Sequence, residues 1–190
     1  MTNTKPSIHQ AAWVGGVFED TRQQAQKHEN KHRWWDAHGV TYQRKKLDFG
    51  DYMDASGLSN VSIDTKRSIS EVAMDVGRDH ARFVREIERA NAGGFRLVVL
   101  IEVGGPYSTI DAIAGWTAIP CRNCANRRYG SCDPHASGCA RFRSRPMQGE
   151  TVLKIMRRLE QDHGCRFEVC RPSQSARRIC ELLGVRYDNG

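Results

Sequence analysis

The stretch FRLVVLIEV, residues 95–103, constrains the fold more than any other part of this sequence. A continuous apolar run of strand length is stable as a strand covered on both faces, as in a sheet sandwiched between helices. The rest of the chain must then supply amphipathic helices for the covering layers. Phe83, Ile87 and Ala90 fall on one face of residues 79–92, which Gly93 and Gly94 terminate. Val152, Ile155, Met156 and Leu159 repeat that pattern over residues 149–163, and Ile179, Leu182 and Leu183 over residues 173–183. Ser68 with Glu71 three residues later is a capping-box pattern that opens a helix after Lys66. Residues 21–38 are polar and helix-compatible, with Gly39 as the stop; Trp34 and Trp35 are adjacent, so only one can face the core. Strands are expected at residues 11–18, ending at Glu19-Asp20, at 40–47, at 61–64 after a hairpin turn over 56–60, and at 166–170, with a turn or further strand beginning at Phe49-Gly50-Asp51-Tyr52. The order β-α-β-β-β-α-β-insert-α-β-α predicts a single α/β unit over residues 11–190, behind a loose tail at 1–10.

Composition narrows the function classes. Hydrophobic residues make up 39% of the 190, enough for a core. The longest apolar run, Leu97 to Ile101, is far below the roughly 20 residues a membrane span needs. The polar start, residues 1–10, has no apolar signal region, so the expectation is a soluble intracellular protein with no membrane partner. It would be cytoplasmic: nucleoid-associated in a bacterium or phage, nuclear in a eukaryote. Lys and Arg number 29 against 22 Asp and Glu, a net charge of +7, which favours polyanionic partners. Seven cysteines without an export signal do not form a disulfide framework. Cys165, Cys170 and Cys180 lie on apolar-patterned segments and read as small core hydrophobes.

The other cysteines fall in an insert, residues 106–148, which is rich in Cys, Arg, Gly and Pro and lacks the apolar surface to fold by itself. Cys121-x2-Cys124 is a metal knuckle, and Cys132, His135 and Cys139 follow within reach. A structural Zn²⁺ held by Cys121, Cys124, Cys132 and Cys139 is expected, with His135 the alternative ligand and an iron–sulfur cluster the alternative tenant. Around these stand Arg122, Arg127, Arg128, Arg141, Arg143 and Arg145, opposed by Asp133 and interleaved with Tyr129 and Phe142. Arginines and aromatics on a metal-pinned module can grip phosphates and stack on unpaired bases, so DNA contact is expected there. A solvated basic surface is the other reading.

The strongest chemical pattern is Asp51 with Asp64-Thr65-Lys66. Period-two geometry puts Asp64 and Lys66 on one face of a strand. With Asp51 brought alongside by the hairpin, two carboxylates and an ammonium converge, which suits a hard divalent cation and phosphodiester chemistry. A solvent-exposed acid–base pair beside a turn-capping aspartate is the competing reading of the same residues.

Four motifs in order decide between these readings. Asp20-Thr21-Arg22, Gly50-Asp51-Tyr52, Ile63-Asp64-Thr65-Lys66 and Ser68-Ile69-Ser70-Glu71 resemble the signature of the XPF-type excision-repair nuclease domain, in the PD-(D/E)XK superfamily. That signature runs Asp-x-Arg-Glu, Gly-Asp-Tyr, Glu-Arg-Lys and a Ser-x-x-Asp-like helix start. The buried strand ending in Ile101-Glu102 is similar to the family's next strand. The resemblance covers residues 12–104 and resumes, more weakly, at 149–183. It implies a restriction-endonuclease-like fold, a mixed central sheet flanked by helices. It also implies a Mg²⁺- or Mn²⁺-dependent endonuclease of DNA repair or recombination, hydrolysing phosphodiesters in branched or otherwise structured DNA. Asp20, Asp51 and Asp64 would bind the metal, Lys66 would be the catalytic lysine, Arg22 a phosphate-contacting or structural arginine, and Glu71 the acid of the next helix. Gln23 stands where the family has Glu, and Asp64-Thr65 where it has Glu-Arg. These departures keep open a catalytically weakened DNA-binding module of the same fold, or a zinc-dependent interaction subunit of a nuclease complex. Glu102 either meets a helix N-terminus or faces the metal cluster. The family's helix-hairpin-helix repeats are not in this sequence, so the insert, a homodimer mate or a second subunit would supply DNA targeting.

Overall fold

A computed structural model describes residues 15–23, 28–117 and 147–188 of the chain. Six strands form one mixed sheet in the order β2-β1-β3-β4-β5-β6. They are β1 (Gly16–Asp20), β2 (Thr41–Lys45), β3 (Tyr52–Asp54), β4 (Val61–Lys66), β5 (Arg96–Glu102) and β6 (Arg166–Cys170). The β1–β3 and β3–β4 pairs are antiparallel; β1–β2, β4–β5 and β5–β6 are parallel. The helices are α1 (Glu29–Ala37), α2 (Ile69–Val76), α3 (His80–Ala92), α4 (Gly149–His163) and α5 (Ser175–Leu183). None of the described helices is long and apolar enough to cross a membrane.

The apolar run does what its pattern demands. Leu97, Val99 and Ile101 of β5 face a layer containing Phe83 and Ile87 of α3 and Val152, Met156 and Leu159 of α4. Val98 and Leu100 face the other layer, with Trp35 of α1 and Ile179 and Leu183 of α5. Both faces are therefore buried, and strand parity sorts neighbouring residues into separate cores. Cys165 and Cys180 are buried as expected, Cys170 partly so, and all three are free thiols.

Several boundaries moved. β1 includes Glu19 and Asp20, where the strand is expected to end; the N-terminal part of the predicted strand lies outside the described residues. Of the helix expected over 21–38, the described residues show Glu29–Ala37 as helix and 21–23 as a turn; residues 24–27 lie outside the described residues. The Asp20 carboxylate accepts a hydrogen bond from the Arg22 backbone N–H at 3.2 Å, and this local bond holds the chain in a turn where a helix would otherwise begin. Trp35 is fully buried and its indole N–H donates to the Ala176 carbonyl at 3.2 Å. Its neighbour Trp34 stacks on His38 at 3.9 Å, as the adjacency required. At α2, the Ser68 hydroxyl accepts from the Glu71 N–H at 3.2 Å, and Glu71 accepts from the Arg67 N–H at 2.9 Å, one residue ahead of the cap.

The first part of the stretch read as an insert packs into the core. A 3-10 turn, Asp111–Gly115, buries Ile113, and Trp116 follows it into the same layer. The Trp116 carbonyl accepts from the Gly149 N–H at 3.1 Å; a Cβ at Gly149 would lie 2.7 Å from the Ala114 carbonyl oxygen, so only glycine starts α4 there. Cys121, Cys124, Cys132, His135 and Cys139 lie outside the described residues, as do Arg122, Arg127, Arg128, Arg141 and Arg143.

Candidate active site

A polar pocket of about 390 Å³ opens where β4 and β5 end and β3 begins. This is the carboxyl end of the parallel strands, where α/β proteins gather their sites. Asp51, Asp64, Lys66 and Arg22 all line it, with Gln23, Glu71 and Glu102 around them.

Asp51 is held by the backbone at the junction of three strands. Its N–H donates to the Ile63 carbonyl at 2.6 Å, and its own carbonyl accepts from the Asp20 N–H at 2.9 Å. Gly50 makes this possible: its φ is +66°, and a Cβ there would meet the Ser62 hydroxyl and lie 3.0 Å from the Ile63 carbonyl oxygen. The Asp51 side chain is aimed by Thr65, whose N–H and hydroxyl both donate to Oδ2, at 2.8 and 2.6 Å. Neither bond engages Oδ1.

Asp64 and Lys66 share a face of β4, as period-two geometry predicts, and their ion pair measures 2.8 Å. Asp64 is buried and Lys66 partly so, unlike a solvated surface pair. Asp64 Oδ2 accepts no well-aligned hydrogen bond, so the ammonium only partly satisfies it. Lys66 is also clamped from α2 by Asp75, at 2.8 Å, and Asp75 is tied in turn to Arg82 at 2.5 Å. The sequence reading missed Asp75. Its signal was an acid on the apolar face of α2, among Ile69, Val72 and Val76. Burial drives the Asp64 carboxyl up to about 8, with Lys66 opposing the rise and Asp51 adding to it. Burial alone would depress the Lys66 ammonium, but Asp64 and Asp75 outweigh it and hold the lysine above its ordinary value.

Asp20 is set apart. Its carboxylate accepts from Arg22 Nε at 2.6 Å and from the Leu47 N–H at 3.5 Å, and it does not line the pocket. The structure thus brings Asp51 and Asp64 together and leaves Asp20 behind them, supporting the turn that carries Arg22. Arg22 also donates to the Leu47 carbonyl at 2.6 Å while remaining 57% exposed, so one face is free to meet a phosphate. Gln23 Oε1 lies 3.4 Å from the Tyr52 hydroxyl, which is much closer to His28.

Glu102 meets the start of a helix and does not face Asp64. It lines the pocket, and its Oε1 accepts from the Ser175 hydroxyl at the first residue of α5, at 2.5 Å. Lys66 pairs in register with Ile101, so Glu102 points to the opposite sheet face from Asp64. Parity explains why, among the described residues, no group of three or more His, Cys, Asp or Glu side chains is gathered for a metal ion. Glu102 pairs instead with Lys31 of α1 at 2.6 Å. His28, at the start of α1, shares a 2.5 Å hydrogen bond with the Tyr52 hydroxyl through Nδ1. Burial lowers the affinity of His28 for a proton, against the pull of Glu19, and burial raises the Tyr52 hydroxyl well above its usual range. Lys31 and His28 had no sequence signal, because both sit in a polar segment without ligand spacing.

The donor set of Asp51 and Asp64 is all oxygen, open on one side to water, and partly unsatisfied at Asp64. That fits a hard cation such as Mg²⁺ or Mn²⁺, which keeps waters and takes few protein carboxylates. No protein-family model and no curated protein matches this chain.

Proposed function

We propose that this chain is a divalent-metal-dependent DNA endonuclease of restriction-endonuclease-like architecture, related to the XPF-type nuclease domain and suited to branched or structured DNA. The observation that carries this reading is the meeting of Asp51, Asp64 and Lys66 in one pocket at the carboxyl end of the sheet. A Mg²⁺ or Mn²⁺ ion held by Asp51 and Asp64 would polarise the phosphodiester and lower the pKa of an attacking water. Lys66, fixed by Asp64 on its own strand and Asp75 on α2, places an ammonium where it can orient that water and offset charge developing on the phosphate. Thr65 keeps the Asp51 carboxylate in position, and Arg22 offers its exposed guanidinium to the substrate backbone. The net charge of +7 supports attraction to DNA, and the arginine- and cysteine-rich segment is assigned zinc-dependent DNA gripping.

The second reading is a DNA-binding module of the same fold with weakened cleavage. Gln23 on the pocket wall and the withdrawn Asp20 favour it, since both reduce the carboxylates available to a metal. Cleavage assays with Mg²⁺ and Mn²⁺ on flapped, branched and single-stranded DNA separate the two. We expect wild type to cut, and Asp64→Ala and Lys66→Ala to lose at least ~100-fold in rate while keeping the fold. Wild type that binds these substrates without cutting supports the second reading. Equal activity in all three proteins places the chemistry elsewhere.

A further inference from the structure

The reaction proposed above uses the pocket wall built by β3, β4 and α2. The opposite wall is the first turn of α1, to which that reaction assigns nothing. His28 caps this turn and Lys31 lies three residues on; both line the same pocket as Asp51 and Asp64. They are nearly enclosed, 4% and 8% exposed. Glu102 takes one donor of the Lys31 ammonium, which carries three. His28 Nδ1 is occupied by Tyr52, but its Nε2 is buried with no hydrogen-bond partner among the described residues. The start of α1 adds the positive end of a helix dipole.

A buried ammonium and a helix N-terminus on one wall suit an oxyanion with several acceptor oxygens, and His28 adds an Nε2–H donor in the tautomer whose Nδ1 accepts the Tyr52 proton. They do not suit a base edge or an apolar group. As a purely structural device the Lys31–Glu102 pair has no clear advantage, because buried ion pairs seldom outperform well-packed apolar residues. Resting on the nuclease reading, we propose that the first turn of α1 binds a second backbone phosphate of the DNA strand held at Asp51 and Asp64. Lys31 is the principal contact and Glu102 the group that positions it. The strand is then gripped from both sheet faces, Lys66 acting from one and Lys31 from the other.

The test is equilibrium binding of a fluorescein-labelled flap DNA to the full chain across a salt series, without divalent metal, with thermal unfolding and Mn²⁺-supported cleavage in parallel. Wild type is compared with the double variant Lys31→Met/Glu102→Gln and with Ser175→Ala. The double variant removes both charges together, so no lone buried carboxylate is left to unfold the protein. Ser175→Ala disturbs the same hydrogen-bond network from a residue off the pocket lining, with Lys31 intact. We expect the slope of log K against log salt to fall by roughly 0.7–0.9 in the double variant, the signature of one lost phosphate contact. Ser175→Ala should keep the wild-type slope even where its melting temperature drops. A double variant with an unchanged slope and unchanged kcat/KM overturns the proposal. A slope difference between wild type and the double variant, in a wild type that never cleaves, sinks the nuclease reading and leaves the phosphate contact standing.

Discussion

At Asp64, burial and the neighbouring ammonium act in opposite directions, and burial wins: its carboxyl rises from the ordinary 3.8 to about 8. The folded metal-free protein then binds a proton that the unfolded chain does not, across the window between those values. By linkage, this residue's contribution to stability falls as pH rises through the window. A cation must displace the same proton. Its affinity should therefore climb by up to about tenfold per pH unit below pH ~8 and level off above it, with about one proton released per ion. Calorimetric Mn²⁺ titrations in buffers of different ionisation enthalpy measure both quantities; a flat affinity over that range would mean that Asp64 is already ionised. The placement of Asp64 beside Lys66 was legible because side-chain direction alternates along a strand. The second clamp at Asp75 was not, since contact between α2 and β4 depends on how the helix is docked.

Turn chemistry governs whether the elements deliver these residues to one place. Gly50 holds a left-handed conformation against Ser62 and Ile63 and thereby sets Asp51 between β1 and β4. Gly50→Ala is expected to cost ~2–4 kcal/mol through backbone strain and the steric conflict with β4. Denaturant unfolding measures that loss, and cleavage should fall further than stability because Asp51 is displaced. The Ser68 cap was readable from three-residue spacing and is formed, while the Glu71 carboxylate reaches one residue further back, to the Arg67 N–H. Residues 21–23 misled: their polarity is compatible with a helix, but the Asp20 carboxylate competes for the Arg22 N–H and holds them in a turn.

Across the whole molecule, the pocket straddles the end of the sheet, with Asp64 and Lys66 on the α2 side and Glu102 and Lys31 on the α1 side. The cysteine-rich segment joins the turn after β5 to α4, so a metal-pinned module there would be tethered to the same domain. Cys121→Ser/Cys124→Ser is expected to abolish stoichiometric zinc, read by atomic absorption, and to weaken DNA binding by about tenfold or more at moderate salt. Far-UV circular dichroism and the main unfolding transition should stay near wild type, because the described core closes through Ile113, Trp116 and α4 without those cysteines. Loss of the main transition would instead make the metal part of the core.

The amino-acid sequence by itself determined the layered α/β plan. The run Leu97 to Ile101, apolar at every position, has nowhere to go but between two helix layers, and the periodicities of residues 79–92, 149–163 and 173–183 supply them. It also determined that Asp64 and Lys66 share one face of their strand, a consequence of local strand geometry. Tertiary structure alone decided which other charges join them. Asp20 turned back onto its own loop, Asp75 came in from α2, and Lys31 met Glu102 across the opposite face. Those choices depend on docking between elements far apart in the chain, where the cost of burying a charge selects its partner and no spacing in the sequence records it.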